Sequence, residues 1–197
     1  RLLILGVILV VIDQVIKILV KTNMQIGEHF SVIGNWFQIF FIENEGMAFG
    51  MKFGGAVGKF LLSFFRIALF GVLCWWIASL ARKSVDSSGK PAVPAGVLVG
   101  LTMITAGAFG NIIDSLFYGV IFDYAPLMFG RVVDMFYFPL IDTTWPAWVP
   151  FVGGERLLFF APVFNFADSC VTVGAFYLIL FQNRFFTREA PASSDTH

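Results

Sequence analysis

Charge is what this sequence has least of. Of 197 residues only 13% are Asp, Glu, Lys or Arg, the 13 cations balance the 13 acids, and no basic run exceeds Arg82-Lys83. A chain without a basic patch has no electrostatic footprint for nucleic acid, and that partner class is excluded. Histidine and cysteine are equally scarce. His29 and His197 stand far apart, so neither a histidine metal site nor a histidine-assisted nucleophile is expected. Cys74 and Cys170 fall in apolar runs with no disulfide or metal spacing and read as small packing residues. No cofactor and no metal are expected, and the absence of an internal repeat removes the inverted-repeat signature of secondary transporters.

What remains is 58% hydrophobic and 17% aromatic, too apolar for a soluble domain of this length. A bilayer-crossing helix needs about 20 apolar residues, and such stretches occur near 1–21, 56–80, 94–118 and 159–183. Four transmembrane helices in a single integral membrane domain spanning 1–197 are therefore predicted. The first stretch starts at Arg1 without an initiator Met, so upstream residues are expected. It carries Asp13 and Lys17 and has no small-residue cleavage site after it, so it reads as an anchor rather than a removed signal peptide.

Arg82, Lys83, Lys90, Arg184 and Arg188 place the 80–91 loop and the C-terminus on the cytoplasmic side. Both termini are then cytoplasmic, and segments 22–55 and 119–158 face outward. The bias is moderate, because Lys21, Lys52, Arg131 and Arg156 lie in the outer segments. Residues 28–44 are β-branched and aromatic around the turn dipeptide Gly34-Asn35, which predicts a small sheet. Segment 119–158 interleaves aromatics with Pro126, Pro139, Pro146 and Pro150, which rules out a long regular helix and suits an interfacial lid or inert bulk.

The informative residues are acids in apolar surroundings. Asp134 lies in Arg131-Val-Val-Asp-Met-Phe-Tyr-Phe138 and Asp168 in Pro162-Val-Phe-Asn-Phe-Ala-Asp-Ser169. An ionisable side chain at hydrocarbon depth costs about 2.5–3.5 kcal/mol on insertion scales, so each marks a candidate functional site. Asp13 and Lys17 are i, i+4 and can pair on one helix face. Asn111 and Asp114 are i, i+3 behind the small residues Ala106-Gly-Ala-Phe-Gly110, and Asn165 repeats that spacing before Asp168. Such an Asn can donate to the carboxylate or hold a neighbouring backbone group. Two carboxylates meeting in a poorly solvated site share one proton near neutral pH, the arrangement by which aspartic proteases activate water.

Five segments in order resemble a known family. Asp13-Gln-Val-Ile-Lys17, Asn44-Glu-Gly-Met-Ala-Phe-Gly50, Gly107-Ala-Phe-Gly-Asn-Ile-Ile-Asp114, Val132-Val-Asp-Met-Phe136 and Phe164-Asn-Phe-Ala-Asp-Ser169 are similar to the motifs of the lipoprotein signal peptidases, or signal peptidase II, of bacterial inner membranes. The resemblance implies a membrane all-α fold of four transmembrane helices with a small periplasmic β-sheet cradle and an extended periplasmic loop. It implies an aspartic endopeptidase that cuts diacylglyceryl prolipoproteins just before the lipidated cysteine, with its site near the periplasmic face, and that is inhibited by globomycin-type peptides. Asp134 and Asp168 match the catalytic pair. Asp13, Lys17, Asn44, Gly46, Asn111, Asp114 and Asn165 match positions that bind substrate or support the site.

Membrane lipid and the lipidated precursor are the expected partners, and the chain is expected to act as a monomer. Two departures stand out: Ser115 occupies the place of the family's usual Arg after the helix-three Asp, with Arg131 a candidate replacement, and Gly46-Met-Ala-Phe49 replaces the commoner Gly-Ala-Ala-Phe. The segment between Asp134 and Asp168 is also longer than in compact members. The competing reading is a proton- or ion-coupled transporter with Asp13, Asp114 and Asp168 as a relay. That reading leaves Asp134 and the sheet without a role; a third, a scaffold, makes every buried acid structural.

Overall fold

The computed structural model describes residues 1–45, 55–82, 93–159 and 162–181. Helix α1 (Leu2–Asn23) is followed by strands β1 (His29–Ile33) and β2 (Phe37–Asn44), then by α2 (Gly55–Arg82). Helix α3 (Ala95–Ile113) runs without a break through a π-helical turn (Asp114–Tyr118) into the short α4 (Gly119–Ile121). Strands β3 (Val132–Tyr137), β4 (Ile141–Thr144), β5 (Arg156–Phe159) and β6 (Val163–Phe164) precede α5 (Phe166–Leu180).

Helices α1, α2 and the run Ala95–Ile121 are long and apolar enough to cross a membrane. On the first of them burial is inverted relative to a soluble bundle. On α1 the buried residues are Asp13, Lys17 and Val20, spaced i, i+4, i+7, while Leu3, Val7, Val11 and Val15 face outward. A helix that hides its charges and exposes its aliphatics is built for an apolar solvent. The fourth helix corrects the sequence boundary of 159–183. Residues 156–159 and 163–164 are strands, and α5 begins only at Phe166, because Asn165 accepts a hydrogen bond from Asp168 N (2.8 Å) and caps the helix there.

Small residues let α3 and α5 pack backbone to backbone. A Cβ on Gly107 would lie 2.3 Å from Ala167 O and 2.8 Å from Val171 Cγ2. Gly107→Val is therefore expected to destabilise the fold by about 1–3 kcal/mol, read as a lower thermal midpoint in detergent. The π-helical turn frees carbonyls that a regular helix would use. Leu116 O accepts from Met128 N (3.1 Å) and Ser115 O from Gly130 N (2.9 Å), which binds the 122–131 connection against this turn. The approach is so close that a Cβ on Gly130 would meet Asp114 O at 2.0 Å.

The sheet expected at 28–44 is present and larger than that: the order is β1-β2-β3-β6, all neighbours antiparallel, with β4 and β5 as a separate hairpin. Strand β3 comes from the segment read as lid or bulk. Val133 and Met135 on one face of β3 join Val20, Phe41 and Tyr118 in the core, which sits where the end of α1, the sheet and the π-helical turn meet. Alternation along the strand turns Asp134 to the opposite face.

Candidate active site

Each acid reaches the site by a different local device. Asp134 lies on β3 opposite Ile42, next to a register shift between Ile39 and Ile42 that bends the strand pair. Asn44, two residues along β2 from Ile42, shares its face and donates from Nδ2 to Asp134 Oδ2 (3.2 Å). Asp168 is in the first turn of α5, where the helix N-terminus favours an anion.

Neither asparagine of the two Asn-x-x-Asp pairs donates to the carboxylate of its own pair. Asn111 Nδ2 donates across to Asp168 Oδ1 (2.7 Å), and Asn165 Nδ2 donates to Asp134 Oδ1 (2.6 Å). The amides are joined in turn, Asn165 Nδ2 to Asn111 Oδ1 at 3.1 Å, so two asparagines link the two acids. Behind them stands Lys17, fully buried, with Nζ 2.9 Å from Asp13 Oδ2, 2.8 Å from Asp114 Oδ2 and 2.9 Å from Asn111 Oδ1. The expected Asp13–Lys17 pair thus exists but is part of a triad with Asp114. Asp13 Oδ1 accepts from Ala167 N (2.8 Å), Asp114 Oδ2 accepts from Val133 N (3.3 Å), and Gln14 Nε2 bridges Asp13 and Asp114 at 3.1 and 3.0 Å.

Among the described residues no buried side-chain nitrogen or oxygen lacks a hydrogen-bond partner. A closed network of this kind holds its members rigidly. Of the nine residues singled out from the sequence, Asp13, Lys17, Asn44, Asn111, Asp114, Asp134, Asn165 and Asp168 are brought together; Gly46 lies outside the described residues. No group of three or more His, Cys, Asp or Glu side chains among the described residues is arranged to hold a metal ion.

Burial at 1% exposure pushes the Asp134 carboxyl up to about 7, Asp168 adds like-charge repulsion, and the amide donors Asn44 and Asn165 oppose both. A carboxyl raised in the folded state holds its proton more tightly there than in the unfolded chain. Its contribution to stability is complete below pH of about 4 and disappears as pH rises through about 7. Asp134→Asn removes this dependence, so the variant is expected to unfold at a higher temperature than the parent at pH of about 8, by up to roughly 4 kcal/mol, and to match it more closely in acid. Thermal scans at the two pH values check this.

Arg131 does not take the place of the missing arginine. It pairs with Glu43 (3.2 Å) and lies over the Tyr124 ring, beside Lys21, which also pairs with Glu43. The guanidinium near Ser115 comes from α2: Arg66 Nη1 donates to Ser115 Oγ (2.8 Å). Sequence reasoning passed over Arg66 and Gln14. The signal for Arg66 was available, a lone arginine inside an apolar run of spanning length. Cys170 is a buried packing residue as expected, whereas Cys74 is exposed on α2.

Hydrogen-bonded acids thus gather where apolar helices meet a small sheet, and the architecture agrees with solved proteins. The fold matches a bacterial membrane enzyme solved by the in meso method at 2.3 Å, with TM-score 0.59 and 24% identity over 96% of this chain and 92% of that one. The family model described as signal peptidase (SPase) II matches residues 5–184, and the chain belongs to that family of peptidases. It is 47% identical over 189 residues to the lipoprotein signal peptidase of Porphyromonas gingivalis, covering 88% of this chain and 79% of that one. With the lipoprotein signal peptidase of Amoebophilus asiaticus it shares 38% identity over 184 residues, 89% of this chain and 75% of that one.

Proposed function

We propose that this chain is an aspartic endopeptidase that removes the signal peptide from diacylglyceryl prolipoproteins, cutting before the lipidated cysteine, with Asp134 and Asp168 as its catalytic pair. The observation that carries the assignment is the bridge of Asn111 and Asn165, which ties these two acids, 34 residues apart in sequence, into one network while leaving Asp168 only partly buried. Family membership supports a peptidase over a transporter.

In this mechanism the ionised acid takes a proton from water and the resulting hydroxide adds to the scissile carbonyl carbon. The neutral acid gives its proton to the carbonyl oxygen, forming a gem-diol. Collapse breaks the C–N bond: the first acid returns its proton to the leaving nitrogen, and the second recovers one from the diol. Asn44, Asn111 and Asn165 hold the carboxylates in place, and Asp13, Lys17 and Asp114 lock α1 to α3 behind them. Asn44 precedes residues carrying Gly46, for which a substrate-binding role is proposed by family resemblance.

The whole chain forms one domain in this reading, with α5 as a fourth span and both termini cytoplasmic. The sheet and the 119–158 segment lie at the periplasmic face of the inner membrane, with the site just beneath. The described α5 has 15 residues, about 22 Å of helix, short for a bilayer of about 30 Å. Acyl chains would lie along apolar helix surface, each buried methylene contributing about 0.8 kcal/mol. A groove of about 520 Å³ between α1, α2 and α3, lined by Val7, Val10, Phe70, Ala106 and Phe109, offers such surface, although it lies to one side of the carboxylates.

A gel-shift assay tests the function. The full chain in lipid should shorten a diacylglyceryl precursor, leave the unlipidated precursor intact, and stop when a globomycin-type peptide is added. Equal cleavage of both precursors would overturn the lipid requirement; no cleavage of either, with ion flux in vesicles, would favour the transporter.

A further inference from the structure

Helix α2 buries only Ser63 of its 28 residues, and it meets the helical body mainly through α3. Ser63 Oγ donates to Met128 O (2.9 Å), and one turn further on Arg66 reaches the site. Its Nη1 donates to Ser115 Oγ, and that hydroxyl donates onward to Asn111 O (2.9 Å). The guanidinium is thereby tethered to the turn of helix that carries Asn111 and Asp114. A half-buried cation on a lipid-facing helix is retained only where charge answers it.

The carboxylates that act on Arg66 are Asp168 first, then Asp114 and Asp134. Asp114 is already paired with Lys17 at 2.8 Å, so the charge Arg66 answers is that of the acid pair. The two acids of the pair are not equivalent. Asp168 is partly exposed and sits in the first turn of a helix, whereas Asp134 is 1% exposed in a strand; Asp168 accepts from one amide and Asp134 from two. Around them stand Asp13 and Lys17 from α1, Asp114 from the π-helical turn and Arg66 from α2; Lys59, two turns before Arg66 on α2, interacts with Glu45, Arg131 and Glu43 and also repels Arg66.

We propose that Arg66, held by Ser115, is a positioning residue that keeps the negative charge of the pair on Asp168, so that Asp168 activates the water and Asp134 is the proton donor. The inference deepens the peptidase reading and rests on it.

The test is the pH profile of kcat for cleavage of a diacylglyceryl precursor peptide by the full chain in lipid. Arg66→Gln is expected to lower kcat roughly tenfold or more with KM within about twofold, and to move the acidic limb up by roughly one pH unit. Arg66→Lys keeps the limb in place, and Ser115→Ala moves it the same way by less. A folded Arg66→Gln with parental kcat and limb overturns the proposal, as does a loss of kcat with an unmoved limb. Should Arg66→Gln fail to fold, Ser115→Ala decides, and an unmoved limb in it overturns the proposal. The pair itself is judged separately in the same assay: activity surviving in Asp134→Asn or Asp168→Asn sinks the peptidase assignment whatever Arg66 does.

Discussion

Asp134→Asn and Asp168→Asn are each expected to lose cleavage of a lipidated precursor by about 10³-fold or more, with the fold intact. An asparagine keeps the size and accepts hydrogen bonds through its oxygen, so the contacts from Asn165 and Asn111 can persist. It can neither take a proton from water nor give one to a carbonyl oxygen. General acid and general base contributions are each worth about 10²–10⁴ in rate, and residues that act as a unit fail together, so the double variant should be little worse than either single one. The mature and precursor bands on a gel, with melting curves of the same samples, give the readout. A single Asn variant within about tenfold of the parent would remove the acid pair from the mechanism.

Lys17→Met is expected to have the largest effect on stability. Its ammonium is buried against Asp13, Asp114 and the Asn111 carbonyl oxygen, all within 2.9 Å. Removing it leaves two carboxylates without their cation at hydrocarbon depth, and breaking a buried ion pair from one side costs about 3–5 kcal/mol. The variant should unfold at lower denaturant or fail to leave the membrane as a single species in size-exclusion chromatography. Adding Asp114→Asn to it removes one orphaned charge and should recover part of the loss. If the double variant is no more stable than Lys17→Met alone, the charge account is wrong and packing of the lysine stem is the cause.

The opposite signs of these two predictions have one origin. Asp134→Asn removes a charge that burial disfavours and should stabilise the fold at alkaline pH while abolishing turnover. Lys17→Met exposes such charges and should destabilise it. A site that must hold an ionisable pair in an apolar setting gives up stability for reactivity, and the surrounding amides and the lysine triad limit that loss.

The chemistry was legible in the order of residues. Acids and a lysine in apolar runs, the Asn-x-x-Asp spacings, the long hydrophobic stretches and the turn at Gly34-Asn35 are local patterns, and local patterns set helix, strand and candidate site. The partners were not legible, because they join residues 31 to 154 positions apart: Asn165 to Asp134, Asn111 to Asp168, Arg66 to Ser115, Asp13 to Ala167 N. Spacing alone pointed each Asn at the Asp on its own helix; packing of α3 against α5 gave Asn111 the acid of α5, and β3 gave Asn165 the carboxyl of Asp134.

The same division explains the misplaced start of α5 and the overlooked strand β3. Hydropathy runs smoothly through 159–183, but strand pairing of 163–164 with β3 and the cap at Asn165 end the extended segment first. Composition and spacing therefore determined that this chain is a membrane protein with acids set in apolar runs, and the five motifs carried its likeness to a peptidase family. Only the tertiary structure decided which donors hold each acid, because hydrogen-bond geometry depends on how helices approach one another, and no single helix or strand encodes that.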